Sequence, residues 1–201
     1  PRYFGACPPQ WCCISETICD LANDIMHCPA WIPDETHSPL QAQIPPPFHL
    51  PAEIPFSQAK ELAVAVPPND IGAADVFIDD FLPVALDIND NVKRVGYAVP
   101  LAIHSVGRQV SPNEPLPRQD LISMSKLAAE GRMEETKMGL GWLINTRTLS
   151  VSLPQSKFLG WRNEILAMLA LTDVFGSDLE ALVGRLGNAA MILIPMRHFT
   201  N

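Results

Sequence analysis

Behind Pro8-Pro9, the apolar residues Trp11, Ile14, Ile18, Leu21 and Ile25 recur at helical spacing, which predicts an amphipathic helix with proline near its first turn. The chain from Cys28 to Pro55 is rich in proline and poorly periodic, the pattern of a long loop. A short helix is expected from Ser57 to Ala65, closed by Pro67-Pro68. Two short apolar stretches follow, Ala74 to Ile78 and Phe81 to Leu86, with Asp79 and Asp80 between them. That layout predicts a β-hairpin with adjacent carboxylates at its tip.

Asn91 is placed to cap a helix running towards His104, with Pro100 kinking or restarting it. Pro112 to Pro117 is a second proline loop, and Leu121 to Gly131 fits strand and helix alike. Met138, Leu140, Trp142 and Ile144 then alternate, Asn145-Thr146-Arg147 makes a turn, and Leu149, Val151 and Leu153 alternate again. This predicts a second hairpin with one buried face. Trp161, Ile165, Met168 and Leu169 mark one C-terminal helix. Leu179, Leu182, Val183 and Leu186 mark another, opened by Ser177 and Glu180 as a capping box. Helices and antiparallel hairpins in this order define an α+β fold.

With 201 residues, 47% of them hydrophobic, the chain has enough apolar surface for one domain or one and a half. A formal net charge of −8 excludes a self-sufficient nucleic-acid binder, which presents a basic face. Any nucleic-acid function here has to borrow positive charge from a metal ion or from other polypeptide. No apolar run reaches the roughly 18 residues of a membrane span, and no signal peptide is visible. The five cysteines, at positions 7, 12, 13, 19 and 28, are an odd set without a secretory signal. They predict reduced thiols in an intracellular setting, cytoplasmic or nuclear, and not a secreted protein. Cys7, Cys12, Cys19, His27 and Cys28 lack the C-x₂-C spacing of a zinc knuckle, so the thiols are expected to act as small apolar residues. A zinc module at residues 7 to 28 is the competing reading. The chain begins at Pro1 and stops at Asn201, and is expected to be a piece of something longer.

Asp79-Asp80 carries the candidate chemistry. An isolated Asp pair is also what a polar turn looks like, because Asp bonds its local backbone. Two acids held together, however, are costly unless a cation neutralises them, and hard oxygen ligands suit Mg²⁺. The surroundings of the pair give it its meaning. Phe77-Ile78-Asp79-Asp80 resembles the aromatic-x-Asp-Asp box of reverse transcriptases from retrotransposons, gypsy-like and DIRS-like elements above all. Phe4-Gly5, followed by Pro8-Pro9, Trp11 and Glu16, is similar to the family's glycine-proline segment beside template and nucleotide. Its spacing is about a residue tighter than the family pattern. His104 and Lys126 resemble the helix and lysine segment after the Asp box, and Leu140-Gly141-Trp142 resembles the primer-grip hairpin. Lys157, Trp161, Leu179-Glu180, Gly184-Arg185-Leu186, Asn188-Ala189 and Pro195 through Arg197-His198-Phe199 to Asn201 resemble the thumb-side block.

The resemblance implies a partial polymerase palm over residues 1–154 and a helical thumb-like segment over 155–201. It implies RNA-directed DNA polymerase chemistry with Mg²⁺ (or Mn²⁺) as cofactor. The implied partners are an RNA or DNA template with its primer and deoxynucleotide triphosphates. Asp79 is implied as the main metal ligand and Asp80 as its weaker partner. Lys126 is implied to protonate or pair with pyrophosphate, Phe4, Gly5 and Phe77 to lie near template and nucleotide, and Leu140, Gly141 and Trp142 to support the primer end. His104 is expected to be a structural histidine, and Asp87, Asp90, Glu134 and Glu135 to be solvated. The family's further catalytic Asp lies on a palm strand upstream of the glycine-proline segment, as do the basic fingers. The chain is therefore expected to be an incomplete polymerase, inactive alone, with one sheet edge left unpaired. The alternative is a non-catalytic retroelement remnant acting as a structural or interaction protein.

Overall fold

Cys7–His27 form the helix α1, whose buried stripe keeps Ile18, with Leu21 and Ile25 packed at its border, but leaves out the first two apolar residues of the predicted face. Ser15, Ile18, Cys19, Ala22 and Met26 are buried, while Trp11 and Ile14 stay exposed. The inward face is thus rotated towards small side chains. Ala22 together with Ala98 and Ala102 lets α1 approach the helix α2, Asn91–Val106, closely. The computed structural model describes residues 7–36, 41–48, 71–108, 110–111, 113–116 and 119–192. The short helix expected from Ser57 to Ala65 lies outside them, as do Phe4 and Gly5.

Strands β1 (Gly72–Phe77) and β2 (Asp80–Ala85) pair antiparallel, with Phe77 opposite Asp80 and Gly72 opposite Ala85. The period of two sends Ala74, Val76, Phe81 and Ala85 to the face packed on α1 and α2. Asp75, Phe77, Asp80, Leu82 and Val84 share the other face. Met26 and Val95 are the largest side chains fully enclosed in this helix-on-hairpin core. The C-terminal end of α1 is tied down by Arg94. Its guanidinium donates to the carbonyls of Met26 (2.5 Å), Trp31 (2.7 Å) and Cys28, and its plane lies 5.1 Å from the Trp31 ring centre.

Several local expectations are corrected. Asn91 is the first residue inside α2 and is buried; Asp90 stands at the N-cap. Pro100 continues that helix inside the core. The ambiguous stretch becomes the helix α3, Met124–Glu130, capped by Ser123, whose Oγ accepts from the Lys126 amide. Met138 to Ile144 is not one strand. The chain turns at Leu140-Gly141 and yields β3 (Thr136–Gly139), β4 (Trp142–Asn145) and β5 (Ser150–Ser152), paired in that order. Of the alternating residues only Trp142 is buried, whereas Met138, Leu140, Leu149 and Val151 are exposed. Ser177 lies inside the last helix, α5 (Gly176–Ile192), rather than capping it. The seam of α5 runs through Leu182, Ala189 and Ala190, leaving Leu179 and Val183 exposed. The helix before it, α4 (Gln155–Leu169), buries none of its residues completely.

The chain divides into two units, residues 1–140 with 144–150, and residues 141–143 with 151–201. Mixed helices and small antiparallel sheets make the fold α+β. No helix among the described residues is long and apolar enough to cross a membrane.

His104, near the end of α2, is half-buried, and desolvation holds its pKa below the ordinary 6.5 against an opposing pull from Asp120. The folded chain therefore takes up this proton less readily than the unfolded chain. Its contribution is fully present above pH 6.5 and is lost as pH falls from 6.5 towards the depressed folded value. Urea denaturation across that range is expected to show a decline in stability that His104→Gln flattens; an unchanged slope in the variant would contradict it.

Candidate functional site

The hairpin closes through the two-residue turn Ile78-Asp79. Ile78 has φ of +59°, and Asp79 is absent from the residues with positive φ. Positive φ at the first central position alone is the pattern of a type II′ turn, where glycine is the usual occupant. A β-branched residue there is strained, and such outliers persist only where the surrounding structure over-determines them. Asp79 is exposed at the tip, while Asp80 is already the first residue of β2, so the two carboxylates do not both sit in the turn. Phe77 is directly across from Asp80 on the face away from the helices and is 56% exposed.

Lys126 reaches this pair. Its ammonium donates to Asp80 Oδ1, with the two side chains 53% and 38% exposed respectively. The hydrogen bond to Asp80 raises the Lys126 pKa above the ordinary value of 10.5; desolvation opposes this, and Asp80, Glu130 and Asp79 add Coulombic support. Asp80 and Lys126, 46 residues apart in sequence, are thus brought together by the fold, with Asp79 beside them.

The hairpin's height on α1 is set by a residue that sequence patterning missed. Asn23 donates from Nδ2 to the Ala74 carbonyl (2.9 Å) and accepts at Oδ1 from the Ala74 amide (2.9 Å). Its side chain thereby takes the place of a neighbouring strand, and Cys19 Sγ donates to the same carbonyl (3.2 Å). Asp75 Oδ1 accepts from the Val76 amide, so two stations on the outer edge of β1 are occupied. The signal was an amide four residues after Cys19 on the inward side of an amphipathic helix. Among the described thiols Cys19 is the buried one, its pKa raised by desolvation and then by Asp75 and Asp20; Cys13 and Cys28 are exposed, contrary to expectation.

Leu140-Gly141 forms a turn with φ of +50° and +81°, so Gly141 serves the reversal of the chain. Its carbonyl accepts from Lys157 Nζ at 3.1 Å, and a Cβ at this position would sit 2.7 Å from that nitrogen. Trp142, 6% exposed, is core. Glu135, expected to be solvated, instead receives both Nε and Nη2 of Arg147 in a two-point pair that ties the start of β3 to the chain after β4. Arg185, on α5, is engaged by Glu164 of α4. Arg197 and His198 lie outside the described residues.

Among the described residues there is no group of three or more His, Cys, Asp or Glu side chains placed to hold a metal ion. Asp79 and Asp80 are two hard-oxygen donors. Their chemistry matches Mg²⁺, which is commonly held by one or two carboxylates with water and substrate phosphates completing the shell. No protein-family model, no curated protein and no solved structure matches this chain.

Proposed function

We propose that this chain is part of an RNA-directed DNA polymerase of a retroelement, residues 1–154 belonging to a partial palm and residues 155–201 to a thumb-like subdomain. The observation that carries the reading is the strained turn at Ile78, which presents Asp79 and Asp80 next to a lysine on a separate helix. A plain polar turn has no use for a β-branched residue at φ of +59°.

Asp79, exposed at the tip, would hold a divalent cation, and Asp80 would support it from the base of β2. When bound, Mg²⁺ supplies charge neutralisation at the reacting phosphate and activation of the primer hydroxyl. Lys126 is the protein's own cation at this place, able to face a phosphate or pyrophosphate oxygen. Phe77 offers an exposed aromatic surface beside Asp80. Template, primer and deoxynucleotide triphosphate are the proposed partners, and basic polypeptide upstream would supply the grip that an acidic chain lacks. The third carboxylate, by the family resemblance, belongs to a strand preceding the glycine-proline segment.

The test is divalent-ion binding at the turn. Mn²⁺ is expected to broaden amide signals of residues 77 to 81 selectively, and Asp79→Asn is expected to remove that broadening. Uniform or absent broadening in the native chain would sink the proposal. In parallel, the 201-residue chain alone is expected to give no primer extension. Robust extension would show that the third carboxylate lies within these residues.

A further inference from the structure

Lys126 stands where a cation is wanted. Its ammonium is bonded to Asp80 Oδ1, and Asp79 and Glu130 add to the negative field around it. The charge of the turn is therefore partly compensated by the protein itself. The element that delivers this charge is lightly anchored. α3 spans only Met124–Glu130 and buries none of its residues, so little packing resists its displacement. Its ends are set locally, by Ser123 Oγ at the start and by the Gly131 amide donating to the Leu127 carbonyl at the end. The tie from Lys126 to Asp80 thus reaches from a weakly packed helix to a hairpin fixed on the core.

A doubly charged ion at Asp79 and Asp80 meets the same carboxylate with twice the charge of the ammonium. It also repels the ammonium once both are near. Lys126 and the ion therefore compete for the Asp80 carboxylate. A lysine driven off the carboxylate is free to face an anion. It would meet a phosphate oxygen only after the carboxylates are occupied.

We propose that Lys126 is a latch: it closes on Asp80 in the metal-free chain, and its displacement by a divalent cation releases α3 and frees the ammonium for a phosphate group. This rests on the reading of Asp79 and Asp80 as cation ligands and adds the regulation of that site by the chain's own lysine.

The experiment is a Mn²⁺ titration of the 201-residue chain, of Lys126→Met and of Lys126→Gln, read by water-proton relaxation, with circular dichroism establishing that each is folded. Removing the competing ammonium is expected to tighten Mn²⁺ binding about fivefold, the ceiling for an exposed ion pair. The gain is expected to vanish when Asp80→Asn is already present. Amide exchange over residues 124–130 is expected to quicken on adding Mg²⁺ to the native chain and to be fast already in Lys126→Met. Binding in the native chain that is unchanged or weakened by the lysine substitutions overturns the latch and leaves the cation site standing. No Mn²⁺ binding by any of the folded variants overturns both.

Discussion

Arg94→Ala is expected to lower the unfolding free energy by about 3 kcal/mol, measured by urea denaturation. The guanidinium serves the carbonyls of Met26, Cys28 and Trp31 at once. Met26 lies in the last turn of α1, where carbonyls have no partner further along the helix. Hydrogen bonds to a charged donor are worth about 1.5–3 kcal/mol each, but Cys28 is exposed and its carbonyl can turn to water, so the simple sum overstates the loss. The positive charge at a helix C-terminus and its stacking on Trp31 add to the effect. Arg94→Lys is expected to recover a minor part, because one ammonium cannot span three carbonyls spread along a turn. A loss below about 1 kcal/mol in the alanine variant would mean that water replaces these bonds without penalty.

Met26→Ala is expected to cost a similar amount, about 2–5 kcal/mol, for a different reason. The side chain is fully enclosed between α1, α2 and the hairpin, so truncation leaves a cavity as well as lost apolar burial. Val95→Ala removes less volume from the same core and is expected to cost less. Met26 and Arg94 share one contact, through the Met26 carbonyl, so the double variant is expected to depart from the sum of the singles. Strict additivity would show that the helix end and the core respond independently. Both substitutions bear on the candidate site. Through Asn23, α1 holds Ala74, and Ala74 lies three residues before Phe77 on the strand that enters the strained turn.

The turn itself was legible early, because two apolar stretches flanking Asp79-Asp80 can hardly be anything but a hairpin. Which carboxylate lies in the turn was not, since that depends on the register of Phe77 against Asp80. The second hairpin was legible in β4 and β5, but the length of its first strand misled for a related reason. Leu140 continues an apolar alternation, yet takes φ of +50° beside Gly141, and a leucine gives no sign of a turn. Glu135 and Arg147 are twelve residues apart and both charged, so patterning assigns each to solvent. Only the fold of β3 on β4 brings them into one pair.

The sequence by itself determined the α+β class, the main helices and the existence of the Asp-Asp hairpin, because periodicity, proline and chain reversal act over a few residues. Tertiary structure decided which face of α1 is buried. The close approach of α2 selects Ser15, Cys19 and Ala22 over the larger Trp11 and Ile14. It also decided that Asn23 stands in for a strand and that Lys126 closes on Asp80. Such pairings depend on where distant segments meet, and no local pattern of apolar and polar residues encodes that meeting.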